Sequence, residues 1–477
     1  MLALFVLIPL FVVLILNLLR FDFIKKIACW FGVVLTLAQI GFALFVPIDL
    51  LSSNSGFFAK YFAFNFTMDS LSKLMIVTIG IVVFAAIMIG QFTYSDDTKR
   101  FNFLNLILLV LAGMNGIVMV SDIFSLYVFI EIVAVASFVL ISTYKDKLAL
   151  ESSFKYIVLS ITATVFILLS ISIFVLISGS TSFTAIANAT KNSPSSSLIV
   201  IAVCLFICGA FTKGGLVPFH GWLPDAHSSA PSSISILLSG VVIKVTGIYP
   251  LIRIMNITGG GGNPVKNILM FVGALSIVVG ALASLGQKDI KRMLAFSSVS
   301  QMGYIVLSIG IGTPLGLAAA VFHILNHAIF KSQLFANAAA VEKQTGTRDM
   351  DKLGGLASKM PVTGGTSIVA MLSISGIPPL SGFWSKLLII IALWQSAHYT
   401  YAFIAVVASV ITLAYFLSFQ RRVFFGKLAE GLENVKEAKF GLVLPALILA
   451  LLTILIGVFF PLVLNKLILP IQSILKL

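Results

Sequence analysis

Apolar runs of about twenty residues recur along the whole of this 477-residue chain. A run of that length crosses the hydrocarbon core of a bilayer as a helix. About fourteen can be counted, starting near Met1, Ile27, Thr67, Phe101, Asp122, Ser152, Ser197, Pro231, Pro264, Ile290, Thr313, Pro361, Thr400 and Phe440. Lipid offers no water to an open backbone, so each run must satisfy its own N–H and C=O groups. The expected class is therefore an all-α polytopic membrane protein. Only 10% of the residues are charged, against roughly 25% in soluble domains. The chain opens Met1-Leu-Ala-Leu-Phe-Val, with no basic residue before Arg20 and no small-x-small cleavage site. This reads as a first transmembrane helix rather than a removed signal.

The formal charge of +14 does not point to nucleic acid, because its distribution follows topology. Twenty Lys and Arg fall on one set of alternate loops, around Arg20, Lys99, Lys145, Lys288, Lys343 and Arg421. Seven fall on the other: Lys60, Lys73, Lys191, Arg253, Lys266, Lys466 and Lys476. That bias places the basic loops in the cytoplasm of a prokaryotic cell and both termini outside. Cys29, Cys204 and Cys208 have no metal-ligand spacing. No cofactor, iron–sulfur cluster or haem site is expected in this chain.

No stretch suggests a separate soluble domain. Residues 178–197 read as a polar loop with a brief interfacial helix, and Gly259 to Gly262 as a flexible loop. Two spans are interrupted. The seventh reads Lys213-Gly-Gly-Leu-Val-Pro218-Phe-His220-Gly-Trp-Leu-Pro224, and the twelfth reads Gly376-Ile-Pro378-Pro379-Leu-Ser-Gly-Phe-Trp-Ser-Lys386. Proline removes a donor and clashes with the preceding turn, so both helices should break there. Paired broken helices point to inverted repeats with a site near the membrane midplane. The expected organisation is helices 1–3 in 1–100, one five-helix unit in 101–256, its inverted copy in 264–425, and a last helix in 440–477.

The chemistry lies in what interrupts the grease. Glu131 reads as the one carboxylate inside a span, with Lys213, Lys244, Lys331 and Lys386 as intramembrane bases. Charges at that depth are costly and normally face a partner or a hydrated cavity. If Glu131 meets Lys213 at about 4 Å, their attraction is about 4 kcal/mol at an effective dielectric of 20. Making or breaking such a contact decides which protonation state is held. A static ion pair that fixes helix register is the competing reading of the pair taken alone. Lys244 lies mid-span, too far from a helix end to snorkel. His323, His327 and Lys331 stand at i, i+4 and i+8, on one helix face. Two histidines without a third ligand make a poor zinc site; a proton relay suits neutral imidazole better. Ser125, Ser137, Ser297, Ser298, Ser300, Gln301 and Tyr304 supply further polar groups, with helix packing as their alternative use.

Taken together, these residues resemble a known family. The segments are Asp122-Ile-Phe-Ser-Leu-Tyr-Val-Phe-Ile-Glu131, Thr212-Lys213 through Asp225-Ala-His227, Leu294-Ala-Phe-Ser-Ser-Val-Ser-Gln-Met-Gly-Tyr304, His323-xxx-His327-xxx-Lys331 and Ser375-Gly-Ile-Pro-Pro-Leu-Ser-Gly-Phe-Trp-Ser-Lys386. They are similar to the antiporter-like subunits of respiratory complex I, of Mrp antiporters and of membrane-bound hydrogenases. The resemblance spans essentially the whole chain. It implies fourteen core helices in two inverted five-helix units. It also implies that Glu131 and Lys213 form a paired switch, that Lys244 and His327 make the central connection, and that Lys386 stands on the exit side. A lysine at 386 is like the Mrp-D type, whereas some relatives carry glutamate. No long amphipathic arm follows the last span, which argues against the distal complex I type.

The expected function is proton translocation, or proton/sodium exchange, by a subunit of a larger membrane complex whose redox centres lie in other subunits. A stand-alone secondary transporter for a small solute is the alternative. The expected partners are other membrane subunits and the bilayer, with no nucleic acid.

Overall fold

A computed structural model describes residues 1–18, 22–48, 65–192, 197–260 and 262–471. Arg20, Lys60, Gly261 and Lys476, and residues 193–196 of the expected polar loop, lie outside the described residues. The architecture is helical throughout these residues, with three isolated β-bridges between connectors. In chain order the helices are α1 (Leu4–Leu18), α2 (Asp22–Phe45), α3 (Ser70–Thr93), α4 (Asp97–Met119), α5 (Ile123–Ile141) and α6 (Lys147–Ser178). Then come the short α7 (Phe183–Asn192), α8 (Ser197–Gly214) and α9 (Trp222–Ser229). They are followed by α10 (Ser232–Ile257), α11 (Gly262–Leu285), α12 (Ile290–Gly310) and α13 (Pro314–Thr345). The last are α14 (Pro361–Ser375), α15 (Ser381–Gln395), α16 (Tyr399–Val423), α17 (Phe440–Val458) and α18 (Phe460–Ile471). Twelve helices among the described residues are long and apolar enough to cross a membrane, α8 and α9 counting as one; α1, α14, α15 and α18 are shorter apolar helices. The chain is a multi-pass membrane protein.

Burial separates inner from outer helices. α10, α12 and α13 are almost wholly buried, whereas α6 and α16 show Phe154, Leu176, Phe403 and Val410 at the surface. Glycine sets the closest contacts. A Cβ on Gly280 would lie 2.5 Å from the Ser300 nitrogen, and one on Gly273 2.5 Å from the Leu307 nitrogen. Small residues thus let α11 and α12 meet backbone to backbone, as expected where lipid gives no hydrophobic drive for association.

Both expected breaks are present. α8 stops at Gly214, and the chain turns through Gly215 (φ +66°) and Pro218 before α9 begins. The freed backbone is satisfied locally. The Leu216 amide donates to the Phe211 carbonyl (3.0 Å), and the Trp222 indole donates to that of Thr212 (3.0 Å). α14 ends on Gly376 (φ +83°), and α15 resumes after Pro378 and Pro379. Return of the chain there needs glycine: a Cβ on Gly382 would fall 2.0 Å from the Ser373 carbonyl oxygen.

α10 is distorted rather than broken. Residues Leu238–Val242 and Lys244–Ile248 form two π turns. Wide turns of this kind are frequent at functional sites, and Lys244 opens the second.

Candidate functional site

Lys213 occupies the last turn of α8, the end at which a helix favours a cation. Its side chain is fully buried, and its Nζ donates to Glu131 Oε1 (2.8 Å) and Ser160 Oγ (2.6 Å). The same Glu131 oxygen accepts from Thr164 Oγ1 (2.7 Å). Glu131, on α5, keeps 27% of its side chain exposed. The pair is therefore asymmetric: the base is sealed between α5, α6 and α8, and the acid lies at the edge of the bundle. Ser160 and Thr164 carry no signal in the sequence, because hydroxyls are common in apolar helices.

Lys244 is the next ionisable group along the chain. α8 and α10 touch closely here, since a Cβ on Gly247 would lie 2.7 Å from Gly214 Cα. Nζ of Lys244 donates to the carbonyls of Ser239 (2.5 Å) and Gly240 (2.8 Å) in its own helix. The ammonium thus bonds two carbonyls of the first π turn.

α13 carries His323, His327 and Lys331, all buried, in the expected stripe. His323 pairs through Nδ1 with Ser385 Oγ (2.9 Å) and through Nε2 with Gln301 Oε1 (3.2 Å), linking α13 to α15 and α12. The two imidazole centroids of the stripe are 6.3 Å apart. Neither ring nitrogen of His327 has a hydrogen-bond partner among the described residues. Lys331 donates to the Leu294 carbonyl (2.7 Å) and to the Ser297 hydroxyl. Lys386, five residues into α15, also lacks a hydrogen-bond partner among the described residues; its ammonium stands 4.8 Å from the Tyr304 ring centroid. It lines a cavity of about 220 Å³ with Ser375, Gly376 and Ser409.

The structure thus joins Glu131 to Lys213, and His323 to Gln301 and Ser385. Among the described residues, no hydrogen bond connects Lys213 to Lys244, Lys244 to His327, or His323 to Lys386.

Two charges assigned to loops instead pair within the helical bundle, Lys291 fully buried and Arg253 half-buried. Lys291, in the first turn of α12, lies 3.2 Å from Glu342 of α13 and donates to the Ala230 carbonyl (2.9 Å). Glu131 is therefore not the only carboxylate that pairs with a buried lysine. Arg253, in α10, reaches Asp69 through two nitrogens (2.5 and 2.9 Å). It also bonds Tyr249 Oη (2.6 Å) and Ser72 Oγ (2.9 Å). Both misassignments have one cause: a charge within two turns of a span end looks like a loop charge.

Asp69 caps α3 from outside the span. Burial pushes its carboxyl up, but the charge and hydrogen bonds of Arg253, with the Ser72 amide and hydroxyl, outweigh that and hold it below the usual carboxylate value. A group held low in the fold contributes stability that is complete above the unfolded pKa of about 4 and is lost as pH falls through the lower native value. Breaking a fully buried pair costs about 3–5 kcal/mol. The Asp69 side chain is 36% exposed, so Asp69→Asn should cost about 2–3 kcal/mol at pH 7. Thermal unfolding in detergent checks this, with the difference from wild type narrowing below about pH 4.

Comparison with known proteins completes the site. Residues 120–412 match the family described as "NADH:quinone oxidoreductase/Mrp antiporter, TM". A Na(+)/H(+) antiporter subunit of Alkalihalophilus pseudofirmus is 31% identical over 392 residues, covering 82% of this chain and 79% of that protein. A chain of the membrane-bound sulfane sulfur reductase, an archaeal respiratory membrane complex, is 31% identical with a TM-score of 0.85, covering 96% of this chain and 75% of that one. A chain of the Mrp complex from Dietzia sp. shares the fold with a TM-score of 0.89 at 24% identity, over 100% of this chain and 97% of that one. The match through α5 to α16 includes every ionisable group of the site, and by it this chain belongs to the NADH:quinone oxidoreductase/Mrp antiporter family of membrane subunits.

Proposed function

We propose that the chain translocates protons, or exchanges protons for sodium, as a membrane subunit of a multisubunit complex in a prokaryotic cell membrane. It carries no redox centre of its own in this reading. One observation supports it above the others: a buried lysine, Lys213, paired with the part-exposed Glu131, heads a series of five further buried ionisable side chains inside an apolar bundle. Intramembrane charges cost about 2.5–3.5 kcal/mol each on insertion scales, and a static scaffold has no use for them. Glu131 and Lys213 are the paired switch, Lys244, His327 and Lys331 the central bases, and His323 with Lys386 the far segment. The two broken helices are equivalent members of inverted five-helix units, 101–256 and 264–425, in a fourteen-pass chain. The basic connectors face the cytoplasm and both termini face outward.

The test uses the complex purified with all its subunits and sealed into liposomes holding a pH-sensitive dye. Sodium gradients, or the electron donor that the co-purifying subunits specify, supply the drive. Proton flux through the intact complex is expected. A complex that is active in its other subunits and moves no protons overturns the proposal, as does solute transport by this chain reconstituted alone.

A further inference from the structure

The pair of Glu131 and Lys213 is served by a third helix. Thr164 of α6 donates to Glu131 Oε1 (2.7 Å), and one turn earlier Ser160 Oγ accepts from Lys213 Nζ (2.6 Å). Each member of the pair thus meets one hydroxyl of α6, and the two hydroxyls share a helix face. Thr164 has a single O–H and two acceptors, because the Ser160 carbonyl lies 2.9 Å away. Bonding to the carbonyl four residues back is an ordinary habit of threonine in a helix. The Thr164 hydrogen can therefore go to the acid or back to its own helix. Ser160 Oγ has a matching freedom, since a hydroxyl accepts from an ammonium and donates to a neutral amine.

Packing fixes α6 against the base and leaves the acid as the movable partner. A Cβ on Gly209 of α8 would lie 2.6 Å from Ile167 Cγ1 and 2.9 Å from the Ala163 carbonyl oxygen, so α6 and α8 meet at close range beside the pair. Ser170 Oγ donates to the Ala202 carbonyl of α8 (2.7 Å) on one side of this contact. On the other, Tyr156 stacks on Trp222 of α9 at 4.1 Å with ring planes 13° apart. Lys213 is sealed in that frame. Glu131 differs. It lies on α5 with part of its side chain at the edge of the bundle, and among the described residues both hydrogen bonds to its carboxylate end on Oε1. Its restraints are thus one ammonium and one hydroxyl. When the lysine contact opens, Thr164 is the one of these two that still turns the carboxylate inward.

We propose that Thr164 is a positioning residue of the switch: it holds the Glu131 carboxylate toward Lys213 while the ion pair is open, as Ser160 holds the released lysine nitrogen. The inference rests on the proton-translocating reading of the central site. A hydrogen bond to an ionised acceptor is roughly twice as strong as one between neutral groups. Thr164 therefore favours Glu131 over its own carbonyl while the acid is charged, and falls back on the carbonyl when the acid is not. Without the hydroxyl, an unpaired Glu131 rotates to the exposed edge and leaves ion-pair range of Lys213. Closing the pair again then needs the acid to be recaptured, whereas a pre-placed carboxylate meets the lysine directly. Thr164 itself carries no proton of the relay.

The test uses the whole complex carrying Thr164→Val, which keeps the side-chain shape without the hydroxyl, or Thr164→Ser, which keeps the hydroxyl. Wild type, Glu131→Gln and Lys213→Ala stand beside them. Two quantities are read. One is proton flux in liposomes. The other is the rate at which dicyclohexylcarbodiimide, a lipid-soluble carboxyl reagent, adds to Glu131, followed by mass spectrometry of its peptide with Glu131→Gln as the unlabelled control. Thr164→Val is expected to pump about ten-fold more slowly and to label at least three-fold faster, the scale of one lost charged hydrogen bond. Thr164→Ser should keep roughly half or more of the flux and label at the wild-type rate, since its O–H reaches the same acceptors. If Thr164→Val does not assemble, Thr164→Ala replaces it with the same expectations. Wild-type flux in the valine variant beside a silent Lys213→Ala overturns the positioning role and leaves the central reading intact. A slow valine variant with unchanged labelling, or one whose loss Thr164→Ser shares, marks a packing role and also overturns it. Normal pumping by Lys213→Ala overturns the central reading instead.

Discussion

Lys213→Ala should abolish translocation while the complex assembles normally. Among the described residues the ammonium of Lys213 is held by Glu131 and Ser160, and its removal leaves a small void at the end of α8. Glu131 can then bind a proton or turn its exposed edge outward, so the acid is not stranded. The structural cost is modest, unlike that of a pair sealed on both sides. Flux should fall at least a hundred-fold, to the leak of empty liposomes, with the complement of subunits unchanged on a native gel. Glu131→Gln should be milder, because Ser160 still receives the lysine and the amide still accepts from Thr164. Normal flux in an assembled Lys213→Ala complex would falsify the switch assignment.

Lys386→Met should separate stability from function. The Lys386 ammonium is buried, without a hydrogen-bond partner among the described residues and with the Tyr304 ring face 4.8 Å away. Cation–π attraction returns about 0.5–2 kcal/mol, which does not match the several kcal/mol lost on desolvating an ion. Methionine has a similar reach and no charge. The variant should therefore be more stable than wild type by about 1–3 kcal/mol, seen as a higher melting temperature in detergent. It should nevertheless lose at least 90% of its proton flux. A drop in stability would show that the lysine has a charged partner; unchanged flux would remove it from the route. Natural sequences keep a locally unfavourable group mainly where function needs it.

Much of this architecture is legible in the residues alone. Long apolar runs place the helices because lipid leaves the backbone no alternative. The breaks follow from Gly-Gly-Leu-Val-Pro and Gly-Ile-Pro-Pro, where proline and left-handed glycine forbid continuation. Glu131 with Lys213 is visible because both are alone of their sign in their spans. Arg253 and Lys291 pass for loop charges because their carboxylate partners are 184 and 51 residues away, and only tertiary packing brings them together. The π turns have no signal either: Gly-Val-Val-Ile-Lys-Val-Thr-Gly is an ordinary membrane string until its lysine captures two carbonyls. His227 closes the segment from Thr212 that carries the resemblance, yet nothing in its spacing marks it as buried against Phe335.

The widened turns of α10 have a mechanical corollary. Each extra residue in a turn advances the following side chains by roughly 100° about the axis. The rod therefore has two phases: its first turns address α3 and α13, and its last turns address α8, the amphipathic α7 and, through Arg253, the start of α3. Arg253, bolted to Asp69 at one end, and Lys244 at the centre ride on the same shaft. A turn of α10 about its own axis would therefore shift Arg253 and Lys244 together.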